Sequence, residues 1–168
     1  MGIRNAMVNR YNLGGEGLNH PNSLSDILKE LRDTFMEVNE FAGTSGMHIV
    51  SGVCTPHCIL NPDDYPNIRF GACSDDIYRR PLTFDIEGNL RLCNHSPIVA
   101  GNIFNQSLGE IFSSTYIDEW SKLNLPFCNQ CNRLSQCRGG CRAAAEQMGL
   151  TLKAEDPIVH ELNTIPFT

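Results

Sequence analysis

The chain has 168 residues, enough for about one domain with a modest core, and 41% apolar with 19% charged residues excludes wholesale disorder. Thirteen basic against nineteen acidic residues leave a net charge of −6, which argues against a nucleic-acid partner. No apolar run is long enough to span a bilayer, and residues 1–15 (MGIRNAMVNRYNLGG) lack the apolar stretch of a secretory signal, so no membrane association and a cytoplasmic location are expected.

In chain order, Ala6–Arg10 is predicted as a short strand, followed by a glycine-rich turn, Leu13-Gly-Gly-Glu-Gly17. A helix follows. Ser23 and Asp26 form a capping-box pattern, Leu24, Ile27, Leu28, Leu31, Phe35 and Val38 recur at helical spacing, and Gly43 and Gly46 end it. Met47–Val53 is predicted as a buried strand, completing a strand–helix–strand unit that cannot close a sheet by itself. Residues 54–80, rich in Pro, Asn, Asp and Gly, are predicted as ordered loop. Pro81–Ile86 and Leu90–Cys93 flank the turn Glu87-Gly88-Asn89 as a hairpin, with Leu82, Phe84 and Ile86 alternating. Ser107 and Glu110 cap a second helix carrying Leu108, Ile111 and Phe112, and a third runs from near Tyr116 past Trp120. A last helix is expected from around Arg138 through Ala143–Ala145 to Gly149.

The unusual feature is eight cysteines: Cys54, Cys58, Cys73, Cys93, Cys128, Cys131, Cys137 and Cys141. Four disulfides would suit an oxidising compartment, but a cytoplasmic chain of this length needs no staples, and metal ligation is the better default. Eight thiolates divide simply into two sites of four. The strongest motif is CNQCNRLSQCRGGC, in which Cys128 and Cys131 can turn both sulfurs to one metal centre. Cys137 and Cys141, four apart, are expected to face similar directions at a helix start. Gly139 and Gly140 would let the backbone pass close to an inorganic core. Spacing alone leaves zinc and iron–sulfur both open, although a single structural zinc would use only four of the eight.

Cys73-x14-Gly88-x4-Cys93 followed by Cys128-x2-Cys131-x5-Cys137-x3-Cys141 resembles the SPASM extension of radical S-adenosylmethionine enzymes. The text FDIEGNLRLCNHSPIVAGNIFNQSLGEIF is similar to that family's hairpin, Gly-Asn-Ile segment and short helix, and CRGGCRAAAEQMG to its closing helix. The resemblance covers about residues 58–157. It implies an α+β fold, with a short hairpin and helices around cysteine-ligated clusters (residues 54–168), preceded by the last strand–helix–strand of a partial α/β barrel (residues 1–53). It also implies one or two auxiliary [4Fe–4S] clusters, zinc being a possible replacement, for electron transfer or substrate binding. A peptide or protein substrate and an electron donor such as ferredoxin or flavodoxin are the implied partners. The alternative is a structural zinc or interaction module without redox role.

Position by position, Cys73, Cys93 and Cys141 resemble ligands of the first cluster, with Cys58 the expected fourth and Cys54 the runner-up. Cys128, Cys131 and Cys137 resemble ligands of the second. Where the family carries a further cysteine after an Asp-Pro pair, Asp156-Pro157 is followed here by Ile158, Val159 and His160. The second cluster is therefore expected to keep one iron open, with His160 as the other candidate. The catalytic Cys-x3-Cys-x2-Cys that binds S-adenosylmethionine is completed neither after Cys58 nor after Cys141, so the chain is expected to be part of a longer enzyme and inactive alone. Gly14-Gly15-Glu16 reads as a turn rather than a cofactor contact, and His48, His57 and His95 as non-ligands. Arg91, Arg133, Arg138 and Arg142, beside cysteines in the sequence, read as solvated surface, though a cation near an anionic cluster would raise its potential.

Overall fold

The computed structural model describes residues 2–12, 14–19, 27–122 and 125–159. Strands β1 (Asn5–Val8), β2 (His48–Ser51) and β3 (Ile68–Phe70) form a parallel sheet in that order. Asn5 lies opposite His48, and Ile49 opposite Ile68. Parallel neighbours need a crossover, and α1 (Leu28–Ser45) supplies it between β1 and β2. Its buried positions Leu28, Leu31, Phe35, Asn39 and Ala42 recur every three or four residues, as an amphipathic helix requires. Gly46, with φ 67°, ends it by donating to the Ala42 carbonyl, whereas Gly43 lies inside the helix rather than at its end. The expected capping box at Ser23 and Asp26 lies outside the described residues.

The third strand is a departure from the sequence reading, which placed residues 54–80 in loops. The turn before β3 is tied to α1 through Asn39, whose Oδ1 accepts the Asn67 amide at 2.9 Å. Phe35 then packs against Tyr65 and Phe70, with ring centroids 5.9 and 5.8 Å apart. Ile59, Leu60 and Ile158 complete this core, so the residues that follow β2 wrap back onto the parallel sheet.

Strands β4 (Thr83–Phe84), β5 (Asn89–Arg91) and β6 (Gly101–Asn102) form an antiparallel sheet, the first two being the expected hairpin. Gly88 closes its turn at φ 78°, a conformation that favours glycine. Leu82 packs on the core as the alternation predicts, but Phe84 and Ile86 face solvent, Ile86 with 99% exposure. Helices α2 (Leu108–Phe112) and α3 (Thr115–Ser121) follow, and the Ser107–Glu110 capping box is present in full. They enclose a second core of Leu90, Leu92, Ile111, Ile117, Trp120 and Leu152.

The last helix, expected from around Arg138, starts at Arg142 instead, and a separate short helix precedes it. Arg138, Gly139 and Gly140 are successive left-handed residues (φ 54°, 73° and 84°) between α4 (Leu134–Cys137) and α5 (Arg142–Gln147). A Cβ on Gly140 would meet Pro56 at 2.6 Å and Asp156 at 2.7 Å, so the backbone passes close to protein there, not only to space for a cofactor. The chain is thus α+β: a helix on a parallel sheet, then a small antiparallel sheet among short helices. No helix among the described residues is long and apolar enough to cross a membrane.

Candidate metal centre

All eight cysteines are free thiols. The loop after β2 and the left-handed turn before α5 divide them into two groups of four. In the first, the Cys54 and Cys73 thiols hydrogen-bond to each other and interact electrostatically with Cys93 and Cys141. Cys54 and Cys93 pack with Cys141, Val53, Ala143 and Ala144. In the second, Cys58, Cys128, Cys131 and Cys137 interact with one another and line a single cavity of about 540 Å³, together with Pro56, His57, Phe127, Gly139 and Val159.

This corrects the expected partition. Cys58 belongs with Cys128, Cys131 and Cys137, and Cys54 takes its place beside Cys73. The buried residues Thr55, Pro56 and His57 stand between the two thiols, leaving Cys54 half-buried on one side and Cys58 exposed on the other. Cys137 and Cys141 part in the same way, because Arg138–Gly140 reverse the chain between them; they do not share a helix start. Each Cys-x3-Cys pair therefore sends one sulfur to each site. Cys58 lines the cavity beside Cys128, Cys131 and Cys137, as does Val159, and His160 lies outside the described residues.

Both groups are supplied with donors. Arg80 Nη1 reaches Cys73 Sγ at 3.7 Å, and Asn12 Nδ2 reaches Cys141 Sγ at 3.8 Å. At the second site the His57 amide donates to Cys137 Sγ at 3.3 Å. The Cys54 hydrogen bond and the Arg80 charge pull Cys73 down to about 6, the Cys54 donor being the larger cause. Its partner Cys54 is pushed up, first by that shared bond and then by burial. Desolvation by the atoms around its sulfur, then the Cys137 charge, pushes Cys58 up to about 11 although the residue is exposed; burial pushes Cys141 up to about 11 and raises Cys93 and Cys128.

Among the described residues, no three ligating side chains converge tightly enough for a single metal ion. Soft thiolates near cations and an N–H donor are a donor set that an iron–sulfur cluster accepts, as zinc also does.

Residues 73–141 match the family model of the SPASM iron–sulfur cluster-binding domain. This stretch is similar to a SPASM domain. The SPASM match begins at Cys73, ends at Cys141 and contains six of the cysteines, while Cys54 and Cys58 reach the same two sites from outside it. Neither the curated proteins nor the solved structures compared with the chain gave a match.

Several supporting residues were missed from the sequence. Arg10 and Asp156 anchor Cys141, Asn12 and Arg80 touch thiols, and their distance along the chain from the motif concealed them. Arg142 is fully buried rather than solvated, whereas Arg91, Arg133 and Arg138 pair with Asp85, Asp63 and Asp75. Gly14–Glu16 enter a short turn, where the Gly15 amide donates to Gln147 at 3.3 Å.

Proposed function

We propose that this chain is the auxiliary-cluster part of a radical S-adenosylmethionine enzyme, holding two [4Fe–4S] clusters. Cys54, Cys73, Cys93 and Cys141 ligate one, and Cys58, Cys128, Cys131 and Cys137 the other. The observation that carries this reading is the division of eight free thiols into two complete sets of four, each on its own face of the Thr55–His57 turn. When bound, such clusters accept and pass single electrons, at potentials set by nearby charge and hydrogen bonds.

The parallel sheet supports the wider context. Among the described residues strand β1 pairs only with β2, and Ile3 before it and Met7 within it are 70% and 66% exposed. Parallel strands are ordinarily covered on both faces, so this edge suits continuation into the barrel of a larger enzyme. Such an enzyme would supply the Cys-x3-Cys-x2-Cys site for S-adenosylmethionine, act on a peptide or protein, and draw electrons from a ferredoxin- or flavodoxin-type donor.

The test is anaerobic reconstitution of the full chain with iron and sulfide. Two clusters require equal iron and inorganic sulfide at twice the content of one cluster per chain, with two distinguishable signals in electron paramagnetic resonance. A colourless, zinc-loaded protein purified without oxygen would replace this reading with a structural zinc module.

A further inference from the structure

Arg142, the first residue of α5, is completely buried. A buried charge is costly unless something compensates it. Its guanidinium is held by the carbonyls of Gly139, Leu152 (3.0 Å) and Ala154 (2.8 Å), neutral acceptors that fix its position, while the Asp156 carboxylate that it attracts is already paired with Arg10. Its Nε has no hydrogen-bond partner among the described residues. Arg91, Arg133 and Arg138, by contrast, each face an aspartate.

The surroundings show where that charge acts. Gly139, which accepts from Nη2, and Phe127, whose ring centroid lies 5.8 Å from the guanidinium carbon, both line the cavity of the second site. The guanidinium thus stands behind one wall of the cavity that holds Cys58, Cys128, Cys131 and Cys137, and its charge pulls on the Cys128 thiol. On another side it lines a smaller cavity of about 250 Å³ with Cys73.

We infer that Arg142 is a positioning residue whose buried charge raises the reduction potential of the cluster at Cys58, Cys128, Cys131 and Cys137, an inference that rests on the two-cluster reading above. Four thiolates outweigh the positive charge of an iron–sulfur core, so the site is a net anion, and each added electron deepens the attraction to a fixed cation. The first site has its own cations, Arg80 beside Cys73 and Arg10 beside Cys141.

The test uses the full chain reconstituted without oxygen, and iron and sulfide are counted first. An unsubstituted chain that takes up no clusters overturns the iron–sulfur reading, and this inference with it. The signal that disappears in Cys58→Ala identifies the second-site cluster. Redox titration followed by electron paramagnetic resonance then compares Arg142→Gln with Arg142→Lys. The expected result is full iron content in both, a lower midpoint for the second-site signal in Arg142→Gln, and its return to the unsubstituted value in Arg142→Lys. An unchanged midpoint in iron-replete Arg142→Gln overturns the inference, as does an Arg142→Lys shift as large as that of Arg142→Gln. If Arg142→Gln fails to hold iron, Arg142→Lys decides: an unsubstituted midpoint supports the role of charge, and a shifted midpoint or lost iron refutes it.

Discussion

Arg10 Nη2 donates to Asp156 Oδ2 at 2.5 Å, with both side chains buried, and joins the end of the first strand to the C-terminal segment. The same carboxylate oxygen accepts the Cys141 amide at 2.8 Å, so this ion pair fixes where the Cys141 sulfur stands. Breaking a buried pair by removing one partner leaves an uncompensated charge and costs about 3–5 kcal/mol. Asp156→Ala is therefore expected to lower the denaturant midpoint of the reconstituted chain strongly. The double variant Arg10→Met/Asp156→Leu, which removes both charges, should lose less. A double variant as unstable as the single one would show that the pair acts through geometry rather than charge.

Cys54 and Cys58 should give reciprocal losses. Cys54→Ala removes a thiol hydrogen-bonded to Cys73, and Cys58→Ala removes one facing Cys128, Cys131 and Cys137. Each variant, reconstituted and examined by electron paramagnetic resonance, is expected to lose or alter one cluster signal, and a different one in each case. The same signal disappearing in both would mean that the two thiols serve one site.

These two cysteines also show the limit of what spacing reveals. Four residues apart in a loop, they have no periodicity from which to read a direction, and only the packing of Thr55–His57 separates them. The Cys137–Cys141 pair misled for a related reason. Arginine before two glycines reads as a helix entry, yet the three left-handed residues act as a reversal, with Gly140 pressed against Pro56 and Asp156. Helix α1, the hairpin and the Ser107–Glu110 box were legible because local periodicity and capping chemistry decide them. Strand β3, three residues long, forms because Phe35 and the Asn39–Asn67 contacts receive it, a tertiary cause with little local signal.

Removing the metal should unfold part of the chain. The loops carrying Cys54, Cys58 and Cys73 have few backbone ladders, and the thiols held there in pairs and fours would repel once ionised. Where a site does not exist in the unfolded chain, metal-binding free energy is folding free energy. Amide exchange across residues 54–95 should therefore be much faster in the metal-free protein than in the loaded one. Equal protection in the two states would show that Ile59, Leu60 and Tyr65 suffice to hold the loop.

The isolated chain should not cleave S-adenosylmethionine. Cleavage in that chemistry needs a cluster with three cysteine ligands and an iron left free for the cofactor, while both cysteine groups here are complete sets of four. Incubation of the reconstituted chain with S-adenosylmethionine and a strong reductant is expected to give 5′-deoxyadenosine only at background. Stoichiometric production would mean that one of the eight thiols is not a ligand.

Asp85 holds the hairpin that delivers Cys93. Its carboxylate accepts from Arg91 Nη1 at 2.7 Å, from Asn89 Nδ2 at 3.0 Å, and from the amides of Glu87 and Asn89. The Arg91 hydrogen bond, followed by that of Asn89, lowers its pKa from 3.8 to about 2. A depressed folded-state value means that the ionised group stabilises the fold above the unfolded value of 3.8, and that this contribution is lost as pH falls through about 2. Asp85→Asn is therefore expected to melt below the unsubstituted chain by the same margin at about pH 8 and about pH 5, since the carboxylate stays ionised across that range. Asp85→Ala should be worse than Asp85→Asn, because it also abandons the amides of the turn. Thermal melts of the reconstituted proteins at both pH values check this, and a margin that shrinks by pH 5 would show that Arg91 does not hold the carboxylate in its charged form.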